Sequence, residues 1–344
     1  MSQVALVTGA AGQDGAYLCR DLLAAGWQVQ AGVRPGAEEP ALWRLRELGL
    51  LGRPALQLLA LDVRDAAACN DAVLQLKPQQ VFHLAAISSV ARAAQEPLAA
   101  VDSNGLGALN LLEAVRCHAP QARFVLASSG EIFVPRDGVI DEDCALQARH
   151  PYALSKLLAH AAVRTYRESY GLAASAAILF NHESPLRGSA FVTRKIAAAA
   201  ARRGAGGGEV LLLGDLSAQR DFGYAPDYVA GLRALAACAV PDDYVFASGE
   251  CASIREFASL AYAAAGIEVR WQGSGPDEHA LDAAGRRCIG VDPALLRRAD
   301  APLLRGDAAR ARRELGFANT VPLLRLVRLL VEAEQRRLGQ ERAP

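Results

Sequence analysis

The chain has no surplus of charge of either sign: its 344 residues carry 37 Lys plus Arg against 37 Asp plus Glu, a formal net charge of +0. Nucleic acid is attracted by summed positive potential, so this balance gives no global field for it and leaves any anionic ligand to local arginines. Disulfide and zinc-knuckle patterns are missing as well. The seven cysteines, Cys19, Cys69, Cys117, Cys144, Cys238, Cys251 and Cys288, include no CxxC pair, which implies free thiols in a reducing compartment. His83, His118, His150 and His160 lack a compact metal-ligand spacing, so no metal is expected and each reads as a satisfied or exposed imidazole; His182 is expected to shape the turn from Asn181 to Pro185. No repeat of solenoid length is evident. Nothing before the first strand-like run resembles a signal peptide, and no membrane span stands out, so the expectation is a cytoplasmic protein.

What is present is an alternation of buried strands and helices. Runs without polar alternation at 4–8, 29–33, 56–61, 81–85, 124–127 and 174–180 read as strands of a parallel sheet covered on both faces. Helical stretches separate them, the first from Gly15 to Ala25 with Gly26 ending it. Farther on, 192–203 and 323–337 read as helices and 244–247 as a strand. The expected fold is a Rossmann-type doubly wound α/β sheet over 1–180. A smaller C-terminal substrate lobe over 181–344 sends segments back to the main sheet. Segments 95–118 and 153–170 carry long apolar or alanine-rich faces and are candidate interface helices of a homodimer or homotetramer.

Gly9, Gly12 and Gly15 follow the first strand at the spacing of a dinucleotide loop. Gly9 permits the tight turn, Gly12 leaves room for a pyrophosphate, and Gly15 allows close packing of the helix whose free amides meet the negative charge. Gln13 and Asp14 open that helix. Arg34 ends the second strand, where a guanidinium suits a 2′-phosphate, so NADP is favoured over NAD; an ordinary solvated arginine is the bland alternative. Asp62, with Val63 beside it, follows the third strand and either receives an adenine amino group or caps the next helix. Leu84, Ala85 and Ala86, past the fourth strand, complete the expected cofactor contacts.

Tyr152 and Lys156 are four apart, so on a helix they share one face, where an ammonium lowers the phenol's pKa and holds a cofactor sugar. Ser128 and Ser129 lie at the C-terminal edge of a parallel strand, where α/β sites occur, and Ser129 is placed to orient a hydroxyl beside Tyr152. Glu131 changes the reaction. Oxidation of an alcohol to a ketone acidifies the neighbouring C–H; a carboxylate can then take that proton, water leaves, and hydride returned to the far carbon completes an internal redox elimination. A turn salt bridge is the bland reading of Glu131.

The string Leu179-Phe180-Asn181-His182-Glu183-Ser184-Pro185 with Arg187-Gly188, the run Phe191-Val192-Thr193-Arg194-Lys195-Ile196, the loop from Thr8 to Leu18, and Leu304-Arg305-Gly306-Asp307 together make the chain resemble the GDP-mannose 4,6-dehydratases, members of the extended short-chain dehydrogenase/reductases. The resemblance spans residues 4 to 330. It implies Ser129 as the active-site hydroxyl, Glu131 as the C5 base, Tyr152 as the O4 base and Lys156 as its helper. It also implies Ser88, Asn181, Glu183, Lys195, Leu213, Gly214, Arg220 and Arg298 as contacts of a GDP-sugar, with Arg220 near the diphosphate unless Asp221 binds it in a structural pair. Departures are Ser89 for an expected histidine, Gly130 for a serine, Phe133-Val134 for tyrosine-glycine, and Arg298-Ala299 without the usual proline. Another GDP-hexose or heptose as substrate, a 4-keto-sugar reductase or epimerase, and a noncatalytic nucleotide-binding scaffold are the competing readings.

Overall fold

Short apolar runs with no polar face can bury both sides, and here they form one parallel sheet. Six strands, β1 (Val4–Thr8), β2 (Gln28–Val33), β3 (Leu56–Ala60), β4 (Gln80–His83), β5 (Arg123–Ser129) and β6 (Ala174–Leu179), are joined by a seventh, Tyr244–Phe246, in the order Tyr244–Phe246, β6, β5, β4, β1, β2, β3. Strand order reverses at the β1/β4 boundary, the switch point at which such sheets bind ligands beyond their C-terminal ends. The fold is therefore Rossmann-type, seen in a computed structural model that describes residues 3–296 and 303–341.

The described chain divides into two units, one drawn from Met1–Phe180, Ala225–Ala247 and Gly306–Ala318, the other from Asn181–Tyr224, Ser248–Arg305 and Asn319–Pro344. In the first, Leu6, Val81, Phe124 and Leu126 from the sheet pack with Leu111, Leu112 and Val115 of the Gly107–His118 helix and with Ala159 and Val163 of the Pro151–Tyr170 helix. The first helix spans Gln13–Ala24, two residues earlier than its apolar pattern predicts, because the turn at Gly9 is complete by Gly12, whose carbonyl already accepts from Ala16. β5 also runs two residues past its apolar stretch, to Ser129, because polar side chains at a sheet's edge do not interrupt the backbone ladder.

In the second unit most strands have three residues and pair across long stretches of sequence: Asn181–Glu183 lies parallel to Phe222–Tyr224, and Leu211–Leu213 to Ile289–Val291. Its core joins Ile196 and Ala200 of the Val192–Gly204 helix, Phe257 and Ala261 of the Ile254–Ala264 helix, and Leu326 and Leu330 of the Leu323–Glu341 helix. Ser253 and Glu256 close a capping box on the middle helix. Arg298 lies outside the described residues. Among those described, no helix is long and apolar enough to cross a membrane.

Candidate active site

The strand-end turn after β1 is built by close approach. Gly9 has φ of +71°, and a Cβ there would stand 2.7 Å from the Ala85 nitrogen and 2.8 Å from the Leu84 carbonyl; a Cβ on Gly15 would lie 2.3 Å from the Gly9 oxygen. Thr8 Oγ1 accepts from the Ala85 amide at 3.3 Å and lies 2.9 Å from His83 Nδ1, fixing β1 to the end of β4. Gly12 is the N-cap of the Gln13–Ala24 helix and offers no side chain to its amides, and a helix N-terminus of this kind suits an anionic group. A cradle that admits no side chain, at a helix start whose N-cap is glycine, fits a pyrophosphate. Arg44, unmarked by the sequence patterns, donates to the Ala11 carbonyl at 3.0 Å and steadies the same loop.

Arg34 is exposed just beyond β2. Asp62 is turned toward Arg64, accepting from its backbone nitrogen at 3.0 Å and from Nη2 at 2.6 Å; that hydrogen bond, with the neighbouring positive charges, holds its carboxyl down to about 2. Asp62 does not cap the next helix. Asp65 does, accepting from Ala68 at 3.0 Å, because the N-cap must stand three residues before the amide it receives. Val63 is buried, its carbonyl accepting from Asn110 at 2.9 Å.

Strand alternation separates the two serines of β5. Ser128 points into the core, 3.0 Å from His160 Nδ1, whose other nitrogen lies 3.6 Å from the buried Asp243 carboxylate. Ser129 ends the strand and accepts from the Glu131 amide at 3.2 Å, capping a 3₁₀ turn at Gly130–Ile132 that carries Glu131. Tyr152 and Lys156 are both buried one turn apart on the Pro151–Tyr170 helix. Lys156 Nζ donates to the Ala127 carbonyl at 2.7 Å, anchoring the helix to β5. Burial pushes its ammonium down to about 8, and the Asp14 carboxylate opposes part of that shift. Near neutral pH the group is still charged.

Two residues that the sequence reading left without a task belong to this arrangement. His150 is the N-cap of the tyrosine helix and also meets Glu131, its Nε2 lying 3.3 Å from Oε2. Asn104, fully buried in π-helical turns at Val101–Leu106, bonds both the amide and the carbonyl of Ile87 at 2.7 and 3.1 Å and reaches Ser155 Oγ at 2.9 Å. Such a widened turn is common near sites, and only an out-of-period Asn-Gly pair hints at it in sequence.

Three of the departures have local reasons. Ser89 caps the Val90–Gln95 helix, accepting from Arg92 at 3.3 Å, beside an exposed Ser88. A Cβ on Gly130 would meet the Phe180 ring at 2.7 Å. Phe133 is buried edge-on against His160, so it fills core rather than facing a ligand.

In the second unit two of the expected substrate contacts, Glu183 and Arg220, already have polar partners within the protein. Glu183 is buried and accepts from Thr193 Oγ1 at 2.6 Å; Arg187 Nε lies 3.1 Å from the same oxygen, off the hydrogen-bond direction, with its guanidinium 3.7 Å over the Phe191 ring. A sugar contact from Glu183 would have to share that oxygen or use the other. Arg194 donates to the Arg187 carbonyl at 2.7 Å and to Glu334 at 2.8 Å, while Arg337 joins Glu334 to the Pro185 carbonyl, so the Leu323–Glu341 helix holds the 184–188 loop. Lys195 is exposed in the first turn of the Val192–Gly204 helix, and Asn181 is half-buried at the head of its strand. Leu213 is buried and Gly214 packs against the Leu295 carbonyl, where a Cβ would come within 2.7 Å. Arg220 is largely buried and donates to the Gln219 carbonyl, whereas the Asp221 carboxylate receives Ser248 N, Ser248 Oγ and Gly249 N at 2.7–2.8 Å.

Comparison with known proteins agrees with this geometry. The family model described as GDP-mannose 4,6 dehydratase matches residues 6–330. The GDP-mannose 4,6-dehydratase of Sinorhizobium fredii (strain HH103) is 38% identical over 322 residues, 92% of either chain, and GDP-mannose 4,6 dehydratase 2 of Caenorhabditis elegans is 34% identical over 96% of this chain and 89% of that one. Among solved structures, RMD from Pseudomonas aeruginosa complexed with NADPH superposes with a TM-score of 0.76 at 25% identity, covering 98% and 99% of the two chains. The UDP-glucose 4-epimerase of Thermus thermophilus, in complex with NAD, gives 0.78 at 26% identity over 97% and 99%. This is an enzyme of the extended short-chain dehydrogenase/reductase superfamily, in its dehydratase and epimerase class. The chain belongs to the GDP-mannose 4,6-dehydratase family.

Proposed function

We propose that the chain converts GDP-mannose to GDP-4-keto-6-deoxymannose and water, with NADP bound and recycled. The observation that carries this reading is Glu131, a carboxylate held at the C-terminal end of β5 two residues beyond Ser129, where a reductase needs no C5 base. The names of the Sinorhizobium and Caenorhabditis relatives support the substrate. NADPH in the Pseudomonas structure supports NADP, for which Arg34 is this chain's candidate 2′-phosphate partner.

Gly9, Gly12, Gly15 and the first amides of the Gln13–Ala24 helix would hold the pyrophosphate, with Gln13, Asp14, Asp62, Val63 and Leu84–Ala86 around the rest of the dinucleotide. A bound nicotinamide would supply the hydride chemistry, as acceptor from C4 of the sugar and donor to C6. Ser129 orients the O4 hydroxyl, and Tyr152, kept acidic by the Lys156 ammonium, takes its proton. The resulting C4 ketone acidifies C5–H, and Glu131 takes that proton as its electron pair enters the enolate. O6 leaves as water on the proton that Glu131 has taken, giving an enone, and as hydride returns to C6 the C5 carbon takes a proton from solvent while Tyr152 gives its own to solvent. Asn181, Lys195, Arg220 and Arg298 are assigned to the GDP-sugar, with Arg220 the diphosphate fork. Exposed Leu98, Leu106 and Leu154, on the helices of the 97–118 and 151–170 segments, support pairing between copies as a homodimer or homotetramer.

A panel of GDP-sugars tests the assignment. GDP-mannose is expected to lose one water with no net NADPH. Faster turnover of another GDP-hexose or a heptose would replace the sugar and keep the reaction, a reading that Ser89 in place of the expected histidine favours. Stoichiometric NADPH would overturn the internal cycle.

A further inference from the structure

An N-cap needs only a short oxygen-bearing side chain, and Ser, Thr, Asp and Asn serve best. At the start of the tyrosine helix the cap is instead His150, in the extended conformation that a residue before proline adopts, with φ of −154° and ψ of 165°. The Ala153 amide donates to its Nδ1 at 3.2 Å. A backbone N–H can only donate, so Nδ1 carries the lone pair and the neutral ring holds its proton on Nε2. That nitrogen is what a short cap lacks, and it lies 3.3 Å from Glu131 Oε2, with the two side chains 11% and 18% exposed. The ring also stacks nearly parallel to Tyr152, at 6.2 Å and 13°, which restricts its rotation. One imidazole thus ties the turn carrying Glu131 to the helix carrying Tyr152 and Lys156.

We propose that His150 is a positioning residue for Glu131, an inference that rests on the dehydratase reading. Its Nε2–H fixes the carboxylate through Oε2 and assigns Oε1 to the C5 proton; as that proton moves to Oε1 and its electron pair enters the C4–C5 enolate, the bond to Oε2 persists. A donor on a carboxylate weakens it as a base, so the gain lies in orientation and not in basicity.

Two variants separate the roles of the two nitrogens. His150→Asn keeps an acceptor at the Nδ1 position for the Ala153 amide but is too short to reach Glu131; His150→Gln keeps a donor near the Nε2 position but gives up the cap. Turnover of GDP-mannose in heavy water is followed by product mass and C5 deuterium, alongside thermal melting. The Asn variant is expected to melt like the parent and keep its KM, while C5 deuterium uptake and kcat fall about 10- to 100-fold, the size of one hydrogen bond to a charged group. The Gln variant is expected to melt lower and keep most of kcat. An Asn variant with the parent's kcat, or rate losses in both variants that track melting alone, would overturn the proposal. A parent that neither releases water nor takes up deuterium from any GDP-hexose would overturn the dehydratase reading and the positioning role with it.

Discussion

The two units treat buried charge in opposite ways. At the C-terminal ends of the strands in the first unit, ionisable side chains rest on neutral partners: Lys156 on the Ala127 carbonyl, His83 on the Thr8 hydroxyl. Desolvation outweighs the nearby charges there, pushing Lys156 down to about 8 against Asp14 and His83 down to about 3 with the help of Lys156. A buried carboxylate paired with arginines occurs in this unit too, but at the other edge, where Asp243 just before the Tyr244–Phe246 strand takes Arg164 at 2.7 Å and Arg167 at 3.0 Å. Among the described residues of the second unit, buried carboxylates are mostly paired with guanidinium groups, Glu183 against Arg187, Glu334 against Arg194 and Arg337, and Asp282 against Arg203 and Arg286, while Asp221 is satisfied by three neutral donors. Shifted proton affinities suit proton transfer, whereas paired charges fix loops. The difference divides the molecule into a part that reacts and a part that holds shape.

That division predicts that substitutions at the reacting edge cost activity with little stability. Tyr152→Phe removes the phenol one helical turn from Lys156 and is expected to lower turnover of GDP-mannose about 1000-fold, within the range of a positioned acid-base group, while thermal melting stays near that of the parent. Glu131→Gln is expected to lower it about 100-fold and to abolish C5 deuterium uptake from heavy water. A Tyr152→Phe protein that melts far below the parent would show the phenol to be part of the framework.

In the second unit, substitutions of a fully bound carboxylate are expected to cost stability, whether its donors are charged or neutral. Asp221→Ala strands three donors, Ser248 N, Ser248 Oγ and Gly249 N, around a residue that is 1% exposed. The expected loss is about 3 kcal/mol in urea unfolding, the cost of leaving a buried polar cluster without its charged acceptor. A loss below about 1 kcal/mol would mean that the cluster rehydrates, and the contrast between the units would fail there.

The parts of the first unit that could be read from sequence are those set by local rules. The strand β1, the glycines and the helix after them are consecutive, and β6 shows its burial in an unbroken apolar run, so periodicity finds them. Residues 152 and 156 share a helix face for the same reason. Asn104 and His150 stayed hidden because their partners, Ile87 and Glu131, lie 17 and 19 residues away and no period links them. Three-residue strands such as Asn181–Glu183 have too few side chains to show a period, and their pairing with Phe222–Tyr224 is set by tertiary contact. Asp62 and Asp65 could not be told apart as caps, since both precede the helix and only the turn geometry decides.

Arg34 sharpens the comparison from the cofactor side, because an exposed arginine contributes by charge alone and not by packing. Arg34→Glu is expected to weaken NADP about 10- to 100-fold in direct titration and NAD by less than about threefold, since only the 2′-phosphate loses a charge-assisted contact. Equal losses for the two dinucleotides would remove Arg34 as the phosphate reader.

The smallest effect falls where reacting edge and packing meet. Phe180 fills the space beside Gly130, and a Cβ on Gly306 would come within 2.8 Å of the same ring, so the ring has glycine on two sides and no slack toward either. The serine expected from the family at position 130 therefore cannot be restored freely. Gly130→Ser is expected to cost about 1–2 kcal/mol in urea unfolding, the usual range for overpacking a filled site, and to lower turnover only through displacement of the adjacent Glu131 turn. Trimming the ring should relieve the strain: in a Phe180→Leu background the same serine is expected to cost less than half as much, because the atom it strikes, Cζ, is gone. If serine costs the same in both backgrounds, the ring is not what demands glycine there, and the backbone of the turn is. If it costs nothing in either, the ring moves aside, and the tight packing inferred at this edge does not limit where Glu131 can be carried.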